Sequence, residues 1–146
     1  MKVSEVMTND TQVIRPEESV QAAAKMMLEC DIGSLPVCDG ERLQGMVTDR
    51  DITIRAVAEG MDPATTHISE VMSDRVHYCY DDDNVEEAAR LMEDNQIRRL
   101  PVLNRQKRLV GILSLGDVAV ETGNRELAGQ VLERVSEPTE PARLSN

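Results

Sequence analysis

Two constellations in this sequence pair a hydroxyl with a carboxylate three residues on: Thr48 with Asp51, and Ser114 with Asp117. Each follows an apolar run, residues 43–47 and 109–113, so each stands where a strand gives way to a helix. There the hydroxyl can accept an orphan N–H of the first turn while the carboxylate reaches back to the cap's own N–H. The backbone N–H groups at such a helix start also make a seat for an anion. Two readings therefore stand side by side, a helix cap alone and a cap that also serves a ligand. A third position of a capping box equally admits Glu or Gln, so the shorter Asp in both copies favours the ligand.

The elements that position these residues are duplicated. Leu35-Pro36-Val37, a polar turn, the run 43–47, Thr48 and Asp51 return as Leu100-Pro101-Val102, a polar turn, the run 109–113, Ser114 and Asp117. Pro36 and Pro101 lie 65 positions apart and Gly45 and Gly111 lie 66 apart, so the second copy carries one extra turn residue. Asp39-Gly40 suits a tight hairpin because it tolerates positive φ. Upstream, Val20, Ala23, Ala24 and Met27 recur at i, i+3, i+4 and i+7, as do Val85, Ala88, Ala89 and Met92. That spacing predicts two helices, with Ser19 and Asn84 as their N-caps. Residues 12–14 and 76–80 read as extended, ended by Pro16 and by three aspartates, Asp81 to Asp83. Val3-Ser4-Glu5-Val6-Met7 and Ile68-Ser69-Glu70-Val71-Met72 open the copies as short amphipathic turns. A proline this close to a strand is expected at its start or at an edge.

Each copy thus predicts β-α-β-β-α. A unit of this size is marginal alone, so the two copies are expected to pack sheet against sheet, leaving clefts around a pseudo-two-fold axis. The boundaries expected are a first repeat over 1–60, a linker over 61–67 and a second repeat over 68–123. An amphipathic helix follows over 124–135, with Leu127, Val131, Leu132 and Val135 on one side, and then a disordered tail over 136–146.

Composition narrows the function. Hydrophobic residues make up 40% of the 146, with no Phe, no Trp and only Tyr78 and Tyr80, so the core must be aliphatic. Lack of aromatics argues against single-stranded nucleic-acid platforms, and a net charge of −11 repels nucleic acid and anionic membrane surfaces. No apolar run reaches membrane-spanning length and no signal peptide is recognised. Cys30, Cys38 and Cys79 are odd in number and lack C-x-x-C spacing, which predicts neither disulfides nor zinc and suits reducing cytoplasm. His67 and His77 read as surface residues rather than metal ligands, and the three aspartates as a solvated turn. No catalytic pairing of Ser, Cys, His and Asp stands at a meaningful spacing. The sequence does not read as an enzyme.

These residues resemble the CBS-domain family. The carriers are Val-Met near each start, Ile-x-x-Leu-Pro-Val at 32–37 and 97–102, and Gly-x-x-Thr/Ser-x-x-Asp at 45–51 and 111–117. The full set, twice in register, is particularly similar to stand-alone bacterial tandem-CBS proteins. The resemblance implies an α/β fold of two β-α-β-β-α CBS repeats packed as a pseudo-two-fold tandem. It also implies a regulatory module binding AMP, ADP, ATP, S-adenosylmethionine or NAD in inter-repeat clefts and signalling to a partner protein. By the same resemblance Asp51 and Asp117 would accept from ribose hydroxyls, and Thr48 and Ser114 would bind phosphate. Thr11 and Val13 with Leu35 and Pro36, and Val76 and Tyr78 with Leu100 and Pro101, would flank adenine. Arg98 and Arg99 would face phosphate, where the first copy offers Gly33 and Ser34. No cofactor or metal is required, and a homodimer is expected. The alternative is a structural dimerisation module whose clefts are vestigial.

Overall fold

The computed structural model describes residues 1–138. In the first copy, α1 (Val20–Cys30) starts at Ser19, whose side chain accepts from the Ala22 N–H at 3.1 Å. β1 (Ser34–Asp39) turns at Gly40, φ 63°, into β2 (Arg42–Thr48), with which it pairs antiparallel. A single turn, α2 (Asp49–Asp51), then runs into a π-helical stretch, Ile52–Val57. Three successive β-branched residues, Ile52 to Ile54, favour that loosening, and Thr53 Oγ1 donates to the Asp49 carbonyl at 3.0 Å.

The second copy supplies β3 (Cys79–Tyr80), α3 (Val85–Asn95), β4 (Arg99–Leu103), β5 (Leu109–Ser114) and α4 (Leu115–Thr122), which stops at Gly123, φ 65°. After it comes α5 (Arg125–Ser136), capped by Asn124 Oδ1 accepting from the Leu127 N–H at 2.9 Å. Of the tail expected to be disordered, residues 139–146 lie outside the described residues. Among the described residues no helix is long and apolar enough to cross a membrane.

The chain divides into two units. One holds Met1–Asn9, His77–Arg105 and the described residues from Val110 to 138; the other holds Asp10–Val76 and Gln106–Leu109. The lead segment of each copy therefore packs with the body of the other. Val3 and Val6 are buried with Val85, Leu100 and Leu113, and Ile68 and Val71 with Ile14, Leu35 and Val47. The backbone repeats this: Thr8 and Ile112 exchange hydrogen bonds at 2.9 and 3.0 Å, and Ser73 and Met46 exchange theirs at 2.9 Å. The two motif glycines permit the approach, since a Cβ on Gly45 would lie 2.5 Å from the Ser73 carbonyl oxygen and one on Gly111 2.7 Å from that of Thr8. Sequence alone assigned each lead segment to the copy it precedes, because the exchange leaves no local signal.

Three further expectations meet differences. Asn84 stands at the N-cap of α3 but its side chain makes no capping bond. Both prolines are the third residue of their strands, but Pro36 lies in β1 of the two-stranded sheet, an edge strand as expected, whereas Pro101 lies in β4, the middle strand of β3-β4-β5, and departs from the expectation. Pro36 faces Met46, whose N–H and C=O are both engaged with Ser73, so that pair asks no donor of the proline. The first extended segment is shorter than residues 12–14 suggested and forms a single parallel bridge, Ile14 with Val37, where the second copy pairs Cys79–Tyr80 with β4.

Candidate functional site

Both hydroxyl–carboxylate pairs fold into complete capping boxes. Thr48 Oγ1 accepts from the Asp51 N–H at 3.0 Å, while the Thr48 N–H donates to Asp51 Oδ2 at 3.0 Å. Ser114 Oγ accepts from the Asp117 N–H at 3.0 Å, and the Ser114 N–H donates to Asp117 Oδ2 at 3.1 Å. The cap is thus present in each copy. What differs is what stands beside it.

In the first copy the Asp49 N–H donates to the Gly33 carbonyl at 3.0 Å. Asp49 turns its carboxylate back onto this seat: Oδ1 accepts from the Arg50 N–H at 2.8 Å, and Oδ2 lies 3.1 Å from where a Gly33 Cβ would be. Asp51 Oδ1 lies 3.7 Å from Arg55 Nε. An anion arriving here meets a carboxylate already on a first-turn N–H. In the second copy the equivalent backbone bond runs from the Leu115 N–H to the Arg98 carbonyl at 2.9 Å. Leu115 and Gly116 replace Asp49 and Arg50, so acid gives way to two guanidinium groups, Arg98 and Arg99.

A cavity of about 470 Å³ opens at this second seat, within the size range of ligand sites. Arg98 and Arg99 line one side, and Ser114, Gly116 and Ala119 from the start of α4 another. Ala128, Gly129 and Leu132 of α5 complete it. Those three, and Leu115 and Ala119 of α4, were not anticipated. The available signal was Gly129, an interior glycine in an otherwise amphipathic helix.

The remaining expected residues are distributed as follows. Thr11 and Val13 precede Ile14, whose N–H donates to the Pro36 carbonyl at 3.0 Å, which sets them alongside Leu35 and Pro36. Leu35 and Pro36 are buried, and Val13 is 37% exposed. Val76 lies in that unit and Tyr78 in the other. Tyr78 is 36% exposed and meets Tyr80 edge-on, ring centres 5.7 Å apart. Leu100 and Pro101 are buried in β4, and Leu100 belongs to the core. Arg98, Arg99 and Ser114 line the cavity; Tyr78, Leu100, Pro101 and Asp117 are not among its walls. Thr8 Oγ1 reaches Asp117 Oδ2 at 3.5 Å, so the lead segment touches this seat.

His67 and His77 are exposed. Asp82 and Arg105 form a bidentate pair at 2.7 and 2.9 Å, which holds the Asp82 carboxyl below the usual carboxylate range. Among the described residues no group of three His, Cys, Asp or Glu side chains is placed to hold a metal ion.

The family model described as CBS domain matches residues 3–57 and again residues 68–122. The CBS domain-containing protein YhcV of Bacillus subtilis (strain 168) is 40% identical over 134 residues, which are 92% of this chain and 94% of YhcV. A crystal structure of Hypoxic Response Protein I, described with two coordinated zinc ions, is similar at a TM-score of 0.75 and 38% identity, covering 83% of this chain and 98% of that one. CBSX2 in complex with AMP matches at a TM-score of 0.74 and 27% identity over 86% of this chain and 98% of its own. The CBS domain pair of MJ0100, in complex with 5'-methylthioadenosine and S-adenosyl-L-methionine, matches at a TM-score of 0.74 and 26% identity over the same shares, 86% and 98%.

Proposed function

The chain belongs to the CBS-domain family, and on that premise we propose that it is a regulatory module whose Ser114/Asp117 seat binds an adenosine-containing ligand. CBSX2 carries AMP, and the MJ0100 pair carries two adenosine compounds of different tails; the chemistry they share is adenosine. The observation that carries the proposal is the cavity itself, which two arginines and the start of α4 line together. Ser114 Oγ, the first-turn N–H groups of α4, Arg98 and Arg99 would take phosphate, and Asp117 the ribose hydroxyls. Tyr78 with the backbone of Leu100 and Pro101 would border the base. Guanidinium groups favour a phosphate over a sulfonium, which ranks AMP, ADP and ATP above S-adenosylmethionine. The matching residues of the first copy, Thr11, Val13, Leu35, Pro36, Thr48 and Asp51, would form a weaker seat, and Val76 is the second copy's counterpart of Thr11. No catalytic step is assigned to either.

A homodimer in the cytoplasm that signals to a protein partner completes the proposal. Leu28 is 82% exposed and Val57 66% exposed on the first copy's helices, large apolar surface of the kind that marks interfaces. Light scattering should return twice the 16.2 kDa chain mass; a monomer at micromolar concentration would remove the dimer.

The binding experiment is a pair of alanine variants read by calorimetry with AMP. Asp51→Ala and Asp117→Ala each break a matching cap, so beyond the Arg55 and Thr8 contacts of the two carboxylates the difference between them reports the ligand. Asp117→Ala should lose about ten- to a hundredfold in affinity, the value of a charge-assisted hydrogen bond, and Asp51→Ala should lose less. In the wild type, AMP at 100 times its dissociation constant should raise stability by about 2.7 kcal/mol. Loss of binding in Asp51→Ala with retention in Asp117→Ala would reverse the assignment.

A further inference from the structure

We propose that α5 is a functional wall of the Ser114/Asp117 pocket and that Gly129 sets the size of occupant the pocket accepts. The inference rests on reading that pocket as the nucleotide site. Gly129 is the fifth residue of a twelve-residue helix, a position where glycine weakens a helix relative to alanine. Packing does not ask for it. A Cβ there would meet nothing within 4 Å, unlike Gly45 and Gly111, whose Cβ would strike backbone oxygens at 2.5 and 2.7 Å. The helix is docked by its other stripe, where Val131 is buried and Leu127 and Val135 pack against the same core. Gly129 faces the cavity with Ala128 and Leu132. Gly129 is exposed to solvent, so the space its missing side chain leaves lies at the open side of the cavity, where an occupant would enter it.

Arg98 ties occupancy to the helix. Arg98 lines the cavity, and its guanidinium donates to Ser136 Oγ, in the last turn of α5, at 3.4 Å. Gln96 Nε2 holds the same end through the carbonyls of Arg134, at 3.2 Å, and Glu137, at 2.9 Å. A phosphate that recruits Arg98 acts on a residue that also holds the end of α5. The pocket and the helix end then respond to one another, and reciprocally, as linked equilibria must.

The test compares Gly129→Ala, Gly129→Leu and the control Gln130→Leu, equally exposed but not among the cavity's walls, in the full chain, by AMP calorimetry and thermal melting. Gly129→Ala should raise the melting temperature by about 2–4 °C through helix propensity. Gly129→Leu should melt no lower than wild type yet bind AMP about tenfold or more weakly, while Gln130→Leu keeps wild-type affinity. If wild type and Gly129→Leu bind AMP equally, α5 is not a wall and the inference fails while the nucleotide site stands. If wild type binds neither AMP nor any other adenosine compound, the site reading fails and takes this inference with it. Equal weakening in Gly129→Leu and Gln130→Leu would also overturn it, since the effect would then belong to α5 generally and not to the face that meets the pocket.

Discussion

The two seats carry the same hydrogen bonds and opposite surroundings. Thr48/Asp51 and Ser114/Asp117 close capping boxes that agree to 0.1 Å. Beside the first, Asp49 covers a first-turn N–H next to Gly33; beside the second, Arg98 and Arg99 look onto a cavity walled by α5. The cap is a local device, fixed by residues three apart, and any copy that folds keeps it. The charge around it comes from the start of the hairpin's first strand, β1 or β4, and from the first helical residue, which can change without cost to the cap. The duplication has thus kept what folds the seat and altered what the seat meets.

The sharpest way to break the comparison is to show that the copies differ in their cores as well. Leu35 and Leu100 occupy equivalent places and are both fully buried. Replacing either by Ala should cost about 2–5 kcal/mol, measured by urea unfolding, and the two costs should agree closely. A disparity of several kcal/mol would place the asymmetry in the fold and not in the seats.

Next in size is the behaviour of the thiols, one per core. Burial pushes Cys38 up to about 11, and burial followed by the Asp83 carboxylate pushes Cys79 up to about 12. Cys30 is exposed. Since the thiolate is the reactive form, both buried thiols should label at least about a hundredfold more slowly than Cys30 at pH 8. The sign for stability follows: each raised value favours the fold fully below the unfolded thiol's pKa, near 9, and that contribution drains as pH climbs toward 11 and 12. Rapid labelling of Cys79 in the native protein would mean that the second core is open.

Most of this frame was legible in the sequence. The doubled Gly-x-x-Thr/Ser-x-x-Asp gave the caps, and the four-residue apolar spacings gave α1 and α3, because both signals are local. The seat's charge difference was legible too, from Gly33 and Ser34 standing where Arg98 and Arg99 recur. The exchanged lead segments were not, since Val3 and Ile68 carry the same pattern whichever body they pack on. Neither was the wall formed by α5. Its apolar stripe predicted a helix, and nothing local said that Gly129 would face Arg98 and Ser114 across a cavity.

A transplant sharpens the comparison at the seats. Gly33→Arg with Asp49→Leu, made in an Asp117→Ala background, gives the first seat a guanidinium and removes the carboxylate beside it. Gly33 does not have positive φ, so its backbone admits a side chain, and the second change removes the charge of the carboxylate 3.1 Å away, leaving an uncharged side-chain end that has to give by only a few tenths of an ångström. AMP affinity should rise about tenfold over the Asp117→Ala parent, one charge-assisted bond in an exposed setting. No gain would mean that the missing α5 wall, and not charge, keeps the first seat weak.

The smallest effect concerns the strand that precedes α1. In the second copy the Asp81 N–H donates to the Leu103 carbonyl at 2.9 Å, closing the pairing of β3 with β4. Pro16 stands at the equivalent place and has no N–H, which is why the first copy stops at a single bridge. Its carbonyl keeps the other half of the pattern, accepting from the Ser69 N–H at 3.0 Å as Asp81 accepts from Ser4 at 3.0 Å. Pro16→Ala restores a donor opposite Cys38, a net gain of about 0.5–1.5 kcal/mol. It also frees the unfolded chain from the ring's constraint, a loss of about 0.4–1 kcal/mol. The two nearly cancel, so unfolding should shift by less than about 0.5 kcal/mol even as hydrogen exchange reveals a newly protected amide at residue 16. An unprotected amide would show that the bridge is short for a reason other than the missing donor.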